Sequence, residues 1–240
     1  MESSEIAMYI VRHGKTLFNI TNKVQGFSNS PLTEDGAAQA VQLGKGLRNI
    51  EFAAAFCGDL GRQRDTAKYI LSQNKNKIPS LIELYGLREW SFGGFEGKPI
   101  ADMWKPICKK HGVSLGELKQ NYKKLTEVLG YKELADEICA IDTDKKAESY
   151  DVIFERINRA MDEIIRVSRN EREKLKSNRA NVLIVSSGMM ITTILHIFGQ
   201  EQYKEELITN CSVSILKYKD DRFYLEIAGD LSFLEQETID

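Results

Sequence analysis

The feature that most constrains this chain is an alternation of short apolar runs with segments of helical period. Residues 6–11 are apolar and stop at Arg12. Residues 52–56 form a second run, followed by Cys57, Gly58, Asp59, Leu60 and Gly61. A further strand is expected around 81–84, and an apolar run covers 182–185, breaking into Ser186, Ser187 and Gly188. Runs this short, bounded by polar or glycine residues, read as buried strands. Between the first two, Thr33 is a helix cap, with Glu34 and Asp35 complementing the dipole. Ala37, Ala40, Val41, Gly44 and Leu47 then recur at helical spacing. A helix from about Arg62 carries Ala67, Ile70 and Leu71 on one face. Phe154, Ile157, Met161, Ile164 and Ile165 mark the face of a later helix, and another begins at Met189 and Met190. Residues 213–218 and 223–227 flank Asp220-Asp221 and read as a hairpin. Strands alternating with helices predict an α/β fold, a three-layer sandwich with a mostly parallel central sheet.

Residues 98–150 break the alternation. Leu115, Leu118, Tyr122, Leu125 and Val128 keep a helical period, Leu134 and Ile138 start another helical face, and no strand run appears. We read this as a helical insertion near the C-terminal strand ends, within a single domain spanning 1–240, and as a lid that shapes substrate choice.

Charge and cysteine usage narrow the function. A net charge of −2 and a pI near 6.0 give no basic field for nucleic acid, so any anion must be held by a few local arginines. No apolar run is long enough for a membrane span. The polar, acidic start (Met1, Glu2, Ser3, Ser4, Glu5) is unlike a signal peptide. Cys57, Cys108, Cys139 and Cys211 are scattered, as in a reduced, cytoplasmic protein. The spacing of a cysteine phosphatase fails, because the residue six after Cys57 is Gln63 rather than arginine. There is no Walker loop, and no His/Asp cluster suited to a metal. The alternating charges of 169–176 read as a solvated helix end.

Ligands of open α/β sheets bind beyond the carboxyl ends of strands. Two polar clusters are expected at such ends: Arg12-His13-Gly14-Lys15-Thr16, and Ser186-Ser187-Gly188 at the start of a helix, whose free N–H groups favour an anion. If their strands are neighbours, both clusters face one pocket. His13 offers a neutral imidazole nitrogen as a nucleophile. Arg12 and Arg62 offer planar guanidinium forks for phosphate oxygens.

The block from Tyr9 through Arg12-His13-Gly14 to Thr16, with Asn19 just after, resembles the signature of the histidine phosphatase superfamily, phosphoglycerate mutase-like branch. The resemblance continues through 25–36. It resumes at Asp59-Leu60-Gly61-Arg62 with Thr66-Ala67, at Leu87-Arg88-Glu89-Trp90 with Gly93 and Phe95-Glu96-Gly97, and at 185–189. These blocks cover most of the chain outside the insertion. The resemblance implies a hydrolase that forms a phosphohistidine on His13 and needs neither metal nor cofactor. Its partner would be a small phosphorylated substrate, with no nucleic acid and no membrane. Arg12, Asn19, Arg62, Ser187 and Gly188 would bind the phosphate, and Glu89, rather than the nearby Glu83 or Glu96, would be the general acid. One departure matters: the family places a histidine where this chain has Ser187. A hydroxyl donates one hydrogen bond but carries no charge. Loss of such a donor implies a phosphatase slowed roughly a hundredfold. Neither His111 nor His196 is expected to replace it. Two alternatives stand beside the phosphomonoesterase: a phosphoglycerate mutase, and a phosphate-binding pseudoenzyme with a regulatory role. Against the mutase, Arg-rich substrate segments after Glu89 are lacking, and Asn210-Cys211-Ser212-Val213 resembles the phosphatase branch.

Overall fold

The computed structural model describes residues 4–114, 118–199 and 208–235, and for 118–122 the backbone only. Strands β1 (Glu5–Arg12), β2 (Phe52–Cys57), β3 (Leu81–Glu83) and β4 (Arg179–Ser186) run parallel. β5 (Val213–Lys219) is antiparallel to both β1 and β6 (Arg222–Asp230). They form one six-stranded sheet in the order β3-β2-β4-β1-β5-β6. Asp220 and Asp221, at φ 51° and 57°, supply the two left-handed residues of the tight hairpin expected between β5 and β6.

A short helix α1 (Leu17–Ile20) follows β1. Helices α2 (Glu34–Gly46) and α3 (Gly61–Leu71) cover one face of the sheet, and α4 (Ile100–Lys110), α5 (Leu118–Ile141), α6 (Tyr150–Lys174) and α7 (Gly188–Gly199) cover the other. The terminal α8 (Ser232–Glu235) packs its phenylalanine and leucine with α2 and α3. The period of two along β1 assigns the layers. Ala7, Tyr9 and Val11 join the core beneath α2 and α3, while Ile6, Met8 and Ile10 join the core beneath α4 to α7. Thr33 caps α2 as its sequence predicts, accepting from the Gly36 N–H at 2.9 Å. The fold is the expected α/β sandwich.

Two helical faces differ from the reading of their periodicity. Phe154 is exposed; the buried stripe of α6 runs through Ile153, Ile157, Ala160, Met161 and Ile164, one position earlier. Phe154 instead stacks on Tyr150. Val128 is also exposed, although Leu125, Leu134 and Ile138 are buried. The buried side of that turn runs instead through Leu125, Thr126 and the half-buried Leu129, and Gly130, at φ 72° and ψ 171°, then breaks α5 into two pieces. Leu115 lies outside the described residues, as do the side chains of Leu118 and Tyr122.

The described elements of 98–149 are helices, and their apolar side chains (Met103, Trp104, Leu134, Ile138) belong to the same core as Ile157 and Ile194. The segment returns to the loop beyond β3. Asp142 accepts the Gly94 N–H at 2.9 Å, and Ser91 pairs with Glu148 through the backbone at 3.0 Å. Gly93 makes this crossing possible: its φ is +54°, and a Cβ there would lie 2.0 Å from an Asp142 carboxylate oxygen. Among the described residues no helix is long and apolar enough to cross a membrane, and all four cysteines are free thiols.

Candidate active site

β1 and β4 are neighbours, with Arg12 opposite Ser186. The two polar clusters therefore sit side by side, and His13 N–H donates to the Ser186 carbonyl at 2.9 Å. His13 is buried, 3% exposed. Its Nδ1–H donates to the Gly14 carbonyl at 2.8 Å. That bond fixes the tautomer and leaves the Nε2 lone pair uncommitted. Burial, and then the charges of Arg62 and Arg12, hold its pKa well below the ordinary 6.5, so the imidazole is neutral. The turn after it is tight. The Gly14 N–H donates to Thr66 Oγ1 at 3.0 Å, and a Cβ on Gly14 would lie 2.5 Å from the Gly36 carbonyl.

Arg62, in the first turn of α3, is fully buried. Its Nη1 donates to the Ser28 carbonyl at 2.8 Å and its Nη2 to the Gly26 carbonyl at 2.7 Å. Those carbonyls belong to a loop wrapped around Glu96, whose carboxylate accepts the N–H groups of Gly26, Phe27, Ser28 and Phe92. Arg62 is thus a charge held in place by backbone oxygens. Burial lowers its pKa only to about 10, so it stays cationic at neutral pH. Arg12 is partly exposed and donates through Nη1 to the Ile208 carbonyl at 2.7 Å. Its guanidinium lies over Gly188, where a Cβ would approach Cζ to 3.3 Å. The Nε groups of both arginines are buried without a protein acceptor.

Glu89 is 6% exposed. Its carboxylate accepts from the Met189 N–H at 3.0 Å and from Met190 at 2.8 Å, so it sits on the N-terminus of α7. Desolvation raises its pKa above the ordinary 4.5, against those backbone bonds and the fields of Arg62 and Arg12. The expectation of an open helix N-terminus for an anion needs correcting. These two N–H groups already hold a carboxylate, because the Glu89 loop folds back over α7. The rival carboxylates are elsewhere: Glu83 pairs with Arg64 at the surface, and Glu96 is consumed by the loop at 26–28.

Ser187 is 1% exposed, and its Oγ accepts from Gln63 Nε2 at 2.9 Å and Arg62 Nη2 at 3.4 Å. Asn19 lies next to the site, where its Oδ1 accepts the Thr16 N–H at 3.1 Å, in a reciprocal cap of α1, and Asn210 Nδ2 at 3.3 Å, which orients the amide. The other histidines lie apart. His111 pairs with Glu137 at 3.5 Å, and the exposed His196 stacks on Tyr131. Among the described residues no three His, Cys, Asp or Glu side chains gather as a metal site.

A profile of the histidine phosphatase superfamily (branch 1) matches residues 8–121 and 120–230. The chain belongs to that superfamily. A structure of phosphoglycerate mutase from Bacillus anthracis str. Sterne superposes with a TM-score of 0.83 at 32% identity, covering 98% of this chain and 97% of that one. A probable phosphoglycerate mutase GpmB of Erwinia tasmaniensis is 26% identical over 246 residues, 98% of each chain. A putative alpha-ribazole-5'-P phosphatase from Escherichia coli shares the fold, with a TM-score of 0.66 at 20% identity over 94% of this chain and 96% of that one. Members of the histidine phosphatase superfamily are phosphatases and mutases, which supports an enzyme with phosphoryl-transfer activity.

Several residues of this superfamily member's site escape a sequence reading. Arg156, on α6, donates to the carbonyls of Gly86, Arg88 and Glu89 at 3.0, 3.0 and 2.8 Å, and pairs with Glu148 at 2.8 Å. Glu148 also accepts the Ser91 N–H at 2.9 Å. This buried pair brackets Glu89 from both sides. Gln63 binds Ser187 and the Leu87 carbonyl. Arg156 falls on the buried side of α6, beside Ile153 and Ile157, and a cation on an apolar face was the signal that could have found it.

Proposed function

We propose that the chain is a phosphomonoesterase that transfers the phosphoryl group of a small phosphorylated substrate to His13 and then to water. The observation that carries this reading is the His13 Nδ1–H bond to Gly14, with Nε2 left free on a neutral, buried ring beside Arg12 and Arg62. In the first step Nε2 forms a bond to phosphorus as the ester oxygen leaves. Arg62 and Arg12 balance the charge on the equatorial oxygens. Glu89, whose burial favours the protonated form, gives its proton to the departing alkoxide. In the second step Glu89 takes a proton from water, the oxygen attacks phosphorus, and the His13–phosphorus bond breaks. No step draws on a metal.

A mutase differs only in what accepts the phosphoryl group from His13. The names of the relatives from Bacillus anthracis and Erwinia tasmaniensis favour that second reading. Against it, the chain has no arginine between Arg88 and Arg156 to hold a second acidic group of a bound acceptor. The deciding experiment is turnover of a panel of phosphomonoesters, including 2- and 3-phosphoglycerate, with radiolabelled phosphate traced to protein. Release of inorganic phosphate, through an acid-labile label absent from His13→Ala, is expected. Interconversion of the phosphoglycerates without phosphate release identifies a mutase. Undiminished turnover by His13→Ala overturns the phosphohistidine step, and binding of phosphate with neither label nor turnover indicates a pseudoenzyme.

A further inference from the structure

We propose that Gln63 is a positioning residue that aims the Ser187 hydroxyl proton at the transferring phosphoryl group. The pair would thereby fill, without a charge, the place that the family gives to a second histidine. The inference rests on the phosphoryl-transfer reading of the site. It starts from the identity of the Gln63 amide atoms. Nε2 lies 3.1 Å from the Leu87 carbonyl, which can only accept, so this atom must be the NH2 group. The same nitrogen lies 2.9 Å from Ser187 Oγ and therefore donates to it. Arg62 Nη2, which can only donate, approaches the same oxygen at 3.4 Å. A hydroxyl oxygen has two lone pairs and one proton. Both lone pairs of Ser187 face donors, and among the described residues its proton meets no acceptor.

The proton is then confined to the remaining direction around the oxygen of a residue that is 1% exposed. Ser187 directly follows Ser186, whose carbonyl holds the His13 N–H. It also directly precedes Gly188, over which the Arg12 guanidinium lies. An acceptor bound between Arg12, His13 and Arg62 is placed to complete the serine's bonding. Two donors pulling on the oxygen also make its proton a better donor. Gln63 touches the reaction only through Ser187.

The same geometry changes what restoring a histidine would do. In the rotamer of the present hydroxyl, an imidazole at 187 places its ring atoms beyond Oγ, toward Gln63 Nε2, which lies 2.9 Å from that oxygen. Ser187→His alone therefore clashes, and Ser187→His with Gln63→Ala makes room.

The test uses p-nitrophenyl phosphate turnover, and orthovanadate affinity by calorimetry, which needs no turnover. Ser187→Ala is expected to lower kcat by about tenfold or more while KM changes less than about twofold. Gln63→Met keeps the bulk but not the donor, and is expected to cost a similar factor. The double variant should be no slower than Ser187→Ala, since one residue acts through the other. Vanadate affinity should fall with the same non-additivity. Ser187→His should be slower than wild type, and the Gln63→Ala combination faster than Ser187→His. Wild-type kcat and vanadate affinity in Ser187→Ala would overturn the proposal. So would losses that multiply in the double variant, or losses that only track the fraction of folded protein. These outcomes separate from failure of the underlying reading. If His13→Ala stays active, the phosphohistidine step is wrong. If His13→Ala is dead and Ser187→Ala unaffected, only this inference falls.

Discussion

The two walls of the site are built differently. The phosphate wall gathers its groups at element ends: Arg12 ends one strand, with His13 and Gly14 following it, and Arg62 opens one helix and closes on carbonyls at 26 and 28. The acid wall is assembled across the chain. Glu89 lies in a loop whose carbonyls are held by Arg156 and whose Ser91 N–H is held by Glu148, roughly sixty residues further on. The phosphate wall is held by Glu96 through the loop at 26–28 and by the Ile208 carbonyl, while the acid wall borrows its rigidity from the return of the helical segment 98–149. A motif can specify the first. The second depends on a buried ion pair whose partners, 7% and 8% exposed, make all their bonds to that loop and to each other.

The contrast can be pressed experimentally. The largest effect belongs to the acid itself. Glu89→Gln should lower kcat for an alkyl phosphate by about a hundredfold to a thousandfold, and less for p-nitrophenyl phosphate, whose leaving group needs little protonation. Equal losses for the two substrates would mean that Glu89 does not protonate the leaving oxygen. Next comes the clamp. Arg156→Met leaves Glu148 buried and unpaired, and should cost about 3–5 kcal/mol of stability in denaturant titrations. Enough folded protein should remain to show a kcat loss that spares phosphate affinity. A matching loss of phosphate affinity would mean that the walls are not independent.

A smaller effect is the pH profile. Activity needs His13 neutral and Glu89 protonated. With the His13 pKa below 6.5, the acid limb lies below that of an ordinary histidine. With the Glu89 pKa above 4.5, the alkaline limb, where the acid loses its proton, lies above that of an ordinary carboxyl. Single-turnover phosphorylation across pH should show both limbs, and Glu89→Gln should lack the alkaline one. The smallest effect is the control. Arg64 pairs with Glu83 near the site but at the surface, both about one-third exposed, so Arg64→Ala should change stability by about 0.5 kcal/mol or less and leave kcat unaltered.

Much of this is legible in the sequence. The apolar runs located the strands, because a buried strand leaves a short, bounded signal. The hairpin showed in Asp220-Asp221, and the α2 cap in Thr33. Where reading failed, the cause was packing. Val128 has the right period from Leu125, yet the buried side of that turn passes through Thr126 and Leu129, and Phe154 misses the buried stripe of α6 by one position. The start of α7 is expected to be free to meet an anion, yet its Met189 and Met190 N–H groups are engaged by Glu89, brought in by folding.

By itself, the sequence determined the sheet-and-helix alternation, the superfamily, and the identity of the chemical groups at the strand ends. Those depend on residue type and on short-range periodicity. Only the tertiary structure decided which β1 neighbour brings Ser187 beside His13, and that Glu89 rather than Glu83 or Glu96 meets α7. It likewise decided that Arg156, Glu148 and Gln63 serve the site. These are pairings between residues tens to more than a hundred positions apart. They are selected by the need to satisfy buried charges and hydrogen-bonding groups once the core has closed, a constraint that no local stretch of sequence expresses.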